Sequence, residues 1–442
     1  MIAAYPTYKE SGVEWLGVVP TTWEVVQTKR HFQKKKETNE GMQCVHRLSL
    51  TMGGVVPRSI DDLDGLQSSN YEGYQIFEAG DLAFKLIDLQ NIKTSRVGLV
   101  PERGIMSPAY IRLSRRSDFN SQYAYWYFMA LYWLQVFNGL GGGVRQTLGP
   151  EELLTIPLPV PSPTEQKTIA AFLDHETGKI DALVEEQKRL IVLLKEKRQT
   201  VISHAVTKGL NPSAPMKDSG IEWLGEVPEH WEVKRLKHVA RIHSGFAMGR
   251  KPEGDVVRLP YLRVANVQDG YVDLSKVAEV ELLKDQVRRY YLLSGDLLMN
   301  EGGDFDKLGR GTVWEAQIEP CLHQNHVFAV RPVNEVDPYW LAMVTRTDYA
   351  KWHFILRSKQ TTNLASVSSS NVYELPIIMP PRCEQEELLA FIDLETTKLD
   401  ELVSICEKAI TLLQERRSAL ISAAVTGKID VRGFTPSKTE AA

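Results

Sequence analysis

Stepping alternately by four and three residues from Ile169 passes through Ile169, Leu173, Glu176, Ile180, Leu183, Gln187, Leu190, Leu194, Lys197, Val201 and His204. The same walk from Leu388 passes through Leu388, Ile392, Glu395, Leu399, Leu402, Cys406, Ala409, Leu413, Arg416, Leu420 and Ala423. Apolar residues dominate both walks. A 3.5-residue apolar period held over this length predicts a coiled coil. Pro161, Pro163, Pro380 and Pro381 lie just before the two stretches, where a helix start tolerates proline. Two helices of about 45 residues are expected, each reaching roughly 65 Å at 1.5 Å per residue. The expected seam joins Leu173, Ile180, Leu183, Leu190 and Leu194 to Ile392, Leu399, Leu402, Leu413 and Leu420. Packing of each helix on its own domain is the bland alternative.

Elsewhere the periodicity is short and often broken by glycine and proline. "RLPYLRVANV" and "SGDLLMN" read as strands. "DFNSQYAYWYFMALYWLQVF" and "DPYWLAMVTRTDYAKWHFIL" read as amphipathic helices, one near the end of each globule. Their aromatics could stack on bases, but at helical spacing they are read as core.

The chain repeats itself. "SGVEWLGVVPTTWEV" from Ser11 returns as "SGIEWLGEVPEHWEV" from Ser219. Gly80-Asp81 matches Gly295-Asp296, and Glu165-Gln166 matches Glu384-Gln385. The ends of each unit are copied and the middles differ, the pattern of a fixed frame carrying two different readers. The expected fold is α+β, or mixed α/β, with a pseudo-twofold internal repeat. Globules are expected at 1–160 and 211–379, long helices at 161–210 and 380–430, and a tail at 431–442. The order globule, helix, globule, helix makes the helices antiparallel.

Composition narrows the function. With 43% apolar and 24% charged residues the chain is globular, and no apolar run approaches a membrane span. The N-terminus shows no secretory pattern, and Cys44, Cys321, Cys383 and Cys406 are too scattered for a zinc site or a disulfide framework. A reducing cytoplasm is expected. Net charge is −4, so nucleic-acid binding would rest on local patches or basic partners. The phosphate-gripping candidates are Lys34, Lys35 and Lys36, with Arg112, Arg115 and Arg116. The base-edge candidates are Arg145 and Gln146 in "GLGGGVRQT", and Lys359, Gln360, Thr361 and Asn363 in "RSKQTTN". Lys307 and Arg310 sit in the similar "MNEGGDFDKLGRGT". Solvated charge runs and plain polar loops explain these residues as well. No HExxH, phosphate loop or cofactor cradle is found, and "NPSAP" is not the NPP-aromatic tetrapeptide of adenine methyltransferases. No catalytic or metal site is expected, so the chain is read as positioning chemistry done by others.

On the doubled "SG[VI]EWLG.VP..WEV" openings, the two "GDL" triplets, the proline-rich "EQ" junctions and the helices ending "VISHAVTKG" and "LISAAVTGK", the chain resembles the specificity subunit of type I restriction–modification systems. The resemblance covers nearly the whole chain. It implies two target recognition domains reading the halves of a bipartite, asymmetric site in double-stranded DNA, with the helices setting the spacer. It further implies two modification subunits using S-adenosylmethionine, and restriction subunits using ATP and magnesium, while this chain binds no cofactor itself. A coiled-coil adaptor without nucleic acid, and the recognition portion of a single-chain methyltransferase–nuclease, are the alternatives.

Overall fold

The computed structural model describes residues 3–435 except 52, 60–69, 88, 90–96, 142–146, 248, 250–252, 304–307, 334–335 and 361–364. The two long helices run Pro163–Lys208 and Arg382–Val425. Two compact units emerge, Met1–Lys188 with Glu407–Ala442, and Arg189–Cys406. Each unit therefore holds one globule, the first half of the long helix that follows it and the second half of the other helix.

In the first unit the repeated opening forms a hairpin, Tyr8–Glu10 against Val18–Pro20. The Ser11 hydroxyl accepts from the Val13 amide at 3.1 Å, which sets its turn. The chain then enters Glu24–Gln27, which pairs antiparallel with Pro157–Val160. The Thr28 amide donates to the Ile156 carbonyl at 2.9 Å, so everything from 28 to 156 is an excursion from one two-stranded stem. The second unit repeats this. Glu232–Arg235 pairs with Pro376–Met379, and the Leu236 amide donates to the Leu375 carbonyl at 2.9 Å.

The copied residues account for each other. Trp23 and Trp231 are fully buried. Their indoles donate to Glu165 Oε1 at 3.4 Å and Glu384 Oε2 at 2.9 Å. The neighbouring Gln166 and Gln385 donate from Nε2 to the Pro161 and Pro380 carbonyls, each at 2.9 Å. Their Oε1 atoms accept from the Asn120 amide at 2.9 Å and the Asp337 amide at 3.3 Å. Asn120 and Asp337 are the N-caps of the helices Ser121–Trp133 and Pro338–Thr345. One Glu-Gln pair thus ties the stem, the tryptophan and the globule's helix to the start of the long helix.

Under each tryptophan the other long helix ends. Ile421, Ala424 and Val425 belong to the first unit's core, with Trp23, Ile169 and Leu173. Ile202, Ala205 and Val206 belong to the second unit's core, with Trp231, Leu388 and Ile392. The helix ends turn on Gly427 (φ 71°) and Gly209 (φ 73°), in the left-handed region that glycine reaches most cheaply. A Cβ on Gly427 would lie 2.4 Å from Pro20, and one on Gly209 would lie 3.2 Å from Trp231.

Each globule is built on a four-stranded antiparallel sheet with the same strand order. In the first it runs Phe32–Lys34, Ile111–Arg115, Leu82–Phe84, Val97–Leu99. In the second it runs Ala240–Ser244, Val327–Pro332, Leu297–Asn300, Gly311–Val313. The repeated aspartate sits at the same place in both. Asp81 accepts from Arg112 Nε at 2.6 Å, and Asp296 from Arg331 Nε at 2.7 Å. Donation to Asp296 holds the Arg331 guanidinium above its ordinary range. The outer sheets differ. Four strands flank the first core, Gly54–Arg58, Arg47–Thr51, Gly104–Met106 and Gln75–Phe77, and three flank the second, Ala278–Leu283, Val256–Leu262 and Leu322–His323.

The aromatic helices are core elements, with Tyr123, Tyr127, Phe128, Trp340 and Phe354 buried. Neither is the one helix expected: Ser121–Trp133 gives way to Val136–Leu140 across Gln135 (φ 55°), and the second stretch is two helices as well. Pro338–Thr345 stops, and Asp348–Arg357 restarts where the Thr347 side chain accepts from the Ala350 amide. A capping threonine offers the backbone a better partner than helix continuation.

The expected seam is half right. Leu173, Ile180, Leu194, Ile392 and Leu399 are buried, and Leu413 and Leu420 are half-buried. Leu183, Leu190 and Leu402 are instead exposed, at 45%, 42% and 45%. One heptad position was read correctly. The other lies one residue later, at Thr177, Val184, Ile191, Arg198 and Ala205, and at Thr396, Val403, Ile410, Arg417 and Ala424, all wholly or partly buried. In the second unit Leu194, Leu399 and Cys406 pack with Ile191, Val201 and Val403, so helix contacts helix there. Arg198 reaches Asp400 at 3.1 Å, and in the first unit Arg417 reaches Asp181 at 2.8 Å. Within each unit the two helices run antiparallel. The reading slipped because the true position holds threonine and arginine, while the exposed one holds leucine. Thr177 buries its hydroxyl by donating to the Leu173 carbonyl at 2.6 Å, and arginine buries its stem while its head stays paired.

Three predictions follow from this packing. Leu399→Ala lowers unfolding stability by about 2–5 kcal/mol, while Leu402→Ala changes it by no more than about 0.5 kcal/mol, measured by urea denaturation. Equal effects would restore the expected register. Trp231→Ala costs about 3–5 kcal/mol and loosens hydrogen-exchange protection in Ile202–Val206 as well as in the globule. Protection lost in the globule alone would show that the helix end is not part of that core. Burial pushes the imidazole of His323 down to about 4, with Nδ1 donating to the Val327 carbonyl at 2.7 Å. The folded state prefers the neutral ring, so its contribution is complete above about pH 6.5 and is lost as the pH falls towards 4. Urea midpoints for His323→Asn should fall less steeply than wild type between those limits.

Candidate nucleic-acid interface

Two basic runs that are distant in sequence become neighbours in the first globule. Phe32–Lys34 pairs antiparallel with Ile111–Arg115, placing Lys34 opposite Leu113 and Phe32 opposite Arg115. The Lys35 amide continues the ladder to the Arg112 carbonyl at 3.2 Å. Lys34, Lys35, Lys36, Arg115 and Arg116 are all exposed. Lys35 has Glu37 at 3.5 Å, and Arg116 Nε donates to Gln33 Oε1 at 3.2 Å. One end of this sheet thus carries five exposed cations on two neighbouring strands and the turns that leave them.

Arg112 does not belong with them. It is 1% exposed, its Nε donates to Asp81, its Nη1 donates to the Ile76 carbonyl, and its guanidinium lies 5.7 Å from the Phe77 ring centroid. It is a buried brace for the "GDL" turn, and such a side chain cannot reach a backbone phosphate. The run "IRLSRRS" read as one charged stretch because sequence shows the charges without showing that strand residues face opposite ways.

In the second globule the structure joins two more stretches. Gly302–Gly303 pairs with Ala365–Ser366, which pairs with Lys359–Gln360. A Cβ on Gly302 would stand 2.9 Å from the Ala365 carbonyl, so a side chain there would push the strands apart. "MNEGG" and "RSKQTTN" therefore meet on one small sheet, with Lys359 exposed. Beside it opens a cavity of about 450 Å³ lined by Val264, Glu301, Gly302, Gly303, His326, Ala365 and Ser366. His326 Nδ1 lies 2.5 Å from Glu301 Oε2. Neither residue is singled out by the sequence, since three strands lie between them and they form no recognisable pair. Arg310 is partly buried and faces a different cavity. Arg145, Gln146, Lys307, Thr361 and Asn363 lie outside the described residues, as does the side chain of Gln360.

Among the described residues no cluster of histidine, cysteine or acidic side chains could hold a metal, and no helix is long and apolar enough to cross a membrane. What the two faces offer is cations on a strand edge and a polar-lipped cavity beside a glycine-rich sheet. Those are means of holding a backbone and feeling the edge of a base.

Comparison with known proteins agrees with the repeat. A family model for the type I restriction modification DNA specificity domain matches twice, at residues 24–191 and 228–408. The putative type I restriction enzyme MjaX specificity subunit of Methanocaldococcus jannaschii is 26% identical over 49% of this chain and 50% of its own. The type I restriction enzyme EcoKI specificity subunit of Escherichia coli is 22% identical over 68% of this chain and 63% of its own. The matches thus span half to just under two thirds of these curated relatives. Among solved structures, a chain described under complex assembly and conformational transition of the type I R-M system superposes with a TM-score of 0.69 at 15% identity. It covers 92% of this chain and 98% of that one, a likeness of fold. With both of its repeats matched by the family model, the chain belongs to the type I restriction–modification DNA specificity family.

Proposed function

We propose that this chain reads a bipartite, asymmetric DNA sequence for a type I restriction–modification system, each globule recognising one half, and that it acts in the cytoplasm. The observation that carries the reading is the doubled stem. Residues 28–156 and 236–375 each leave and re-enter the frame through a closed pair of strands. A globule that meets the frame through its stem and one helix cap can change its outer strands without disturbing the Trp–Glu–Gln contact. The frame is the same twice and the outer sheets are not, as expected if two readers see two different half-sites. Chemistry falls to partners in this reading. Two modification subunits would dock on the repeated frame and methylate with S-adenosylmethionine, and restriction subunits would use ATP and magnesium. The chain itself is a non-catalytic scaffold that holds the duplex while a partner acts on a base taken out of the stack.

Exchange of residues 236–375 for the corresponding excursion of another family member should change one half of the methylated sequence and leave the other, read by mapping methylated adenines. Alteration of both halves would refute independent reading. Lys36→Gln and Arg115→Gln should weaken specific and non-specific duplexes alike. Each should lower the slope of log K against log salt by about 0.9 if it neutralises one phosphate. A change in preferred bases with an unchanged slope would mean that this edge reads bases.

A further inference from the structure

The second unit contains a cavity of about 250 Å³ that has no use in the reading above. Its wall carries Arg198 and Gln199 from the first long helix, Arg310 from the strand edge, and Arg346, Lys351 and Asp269 from the globule. Four cations therefore face one small space with one carboxylate among them.

Three of the four are already partnered. Arg198 holds Asp400 at 3.1 Å, and Arg346 holds Asp269 at 2.7 Å. Lys351 Nζ donates to Gln199 Oε1 at 2.9 Å and lies 3.9 Å from Asp348 Oδ1. Arg310 is different. Its Nε is buried and has no acceptor among the described residues. A guanidinium presents five donors in a fixed plane and cannot shed its charge, so a partly buried one with its Nε left unpaired favours an anion within reach of its other donors. The cavity beside it is large enough to hold one.

The repeat supplies a control. Arg198 corresponds to Arg417, and their aspartates Asp400 and Asp181 correspond as well. In the first unit Arg417 also keeps its aspartate, Asp181, at 2.8 Å. The guanidinium lies over the rings of Trp126 and Trp133, at 5.8 Å and 5.0 Å. The same helix position thus meets aromatic rings in one unit and an open basic cavity in the other. Helix pairing alone does not require the cavity.

We propose that this cavity binds a phosphate group, with Arg310 as the central donor and Arg346, Arg198 and Lys351 around it. Tetrahedral oxyanions match the forked geometry of arginine, and the carboxylates already present leave the cavity with excess positive charge. The phosphate comes either from the backbone of a bound duplex or from a free phosphate compound, and the site is defined by the chemistry they share.

The test uses the purified full chain. Inorganic phosphate is titrated in and thermal melting is followed against sodium chloride of matched ionic strength. A saturable rise in melting temperature is expected for wild type and is lost in Arg310→Gln. Lys351→Gln, altered at a side chain 41% exposed, should weaken it several-fold and guards against misfolding of the first variant. No saturable rise in wild type, or a rise that survives Arg310→Gln, overturns the proposal. Adding duplex then separates the sources. If the site takes a backbone phosphate, inorganic phosphate competes with duplex and Arg310→Gln lowers the salt slope by about 0.9. If it takes a free compound, duplex affinity is the same with and without phosphate. A wild-type chain that binds phosphate but no duplex, even with modification subunits, would count against the DNA-reading function and leave the pocket standing.

Discussion

Each tryptophan of the repeated "WEV" is a fastening point at which three separate stretches of chain are held. Trp23 is fully buried beside the end of the second long helix, with its indole donated to Glu165 at the start of the first. Trp231 does the same with Glu384 and the end of the first long helix. An indole buries a large apolar area yet keeps one donor that must find an acceptor. The glutamate supplies that acceptor, and its glutamine neighbour ties the globule's own helix to the same point. Glycine at the helix end is needed because a Cβ at Gly427 would strike Pro20. Tryptophan, glutamate, glutamine and glycine, scattered over the sequence, are one contact made twice.

That contact makes the globules depend on distant chain. Neither core is closed by its own excursion. The first takes Ile421, Ala424 and Val425, and the second takes Ile202, Ala205 and Val206. The compact units consequently cut each long helix in two rather than falling between helix and globule. The excursions are closed by their stems, which leaves their outer strands free to differ. A repeated base with variable extremities can present two different surfaces from one frame.

The buried pairs Asp81–Arg112 and Asp296–Arg331 show how a repeated polar residue can look functional while being architectural. Each aspartate also accepts from a backbone amide of its own turn, from Glu78 or from Leu293 at 2.8 Å. Removing either arginine would leave its buried aspartate charged in a dry site, a loss larger than the pair's net worth. The "GDL" triplets recur for that reason.

The sequence alone determined the doubling, the two long helices, the aromatic core and the family, because each of these is written in repeated residues or in a period that survives local noise. It could not separate Leu183 from Val184 on the seam, since a one-residue shift between neighbouring apolar positions barely alters a heptad pattern. It could not tell Arg112 from Arg115, because charge is visible in sequence and the direction of a strand side chain is not. Tertiary structure decided these, and it decided the sites as well. Lys34 comes opposite Leu113, Gly302 opposite Ser366, and Arg310 into one cavity with Arg346 only through pairings between residues far apart in the chain. Such meetings are fixed by which cores and ladders close, and no local pattern records them.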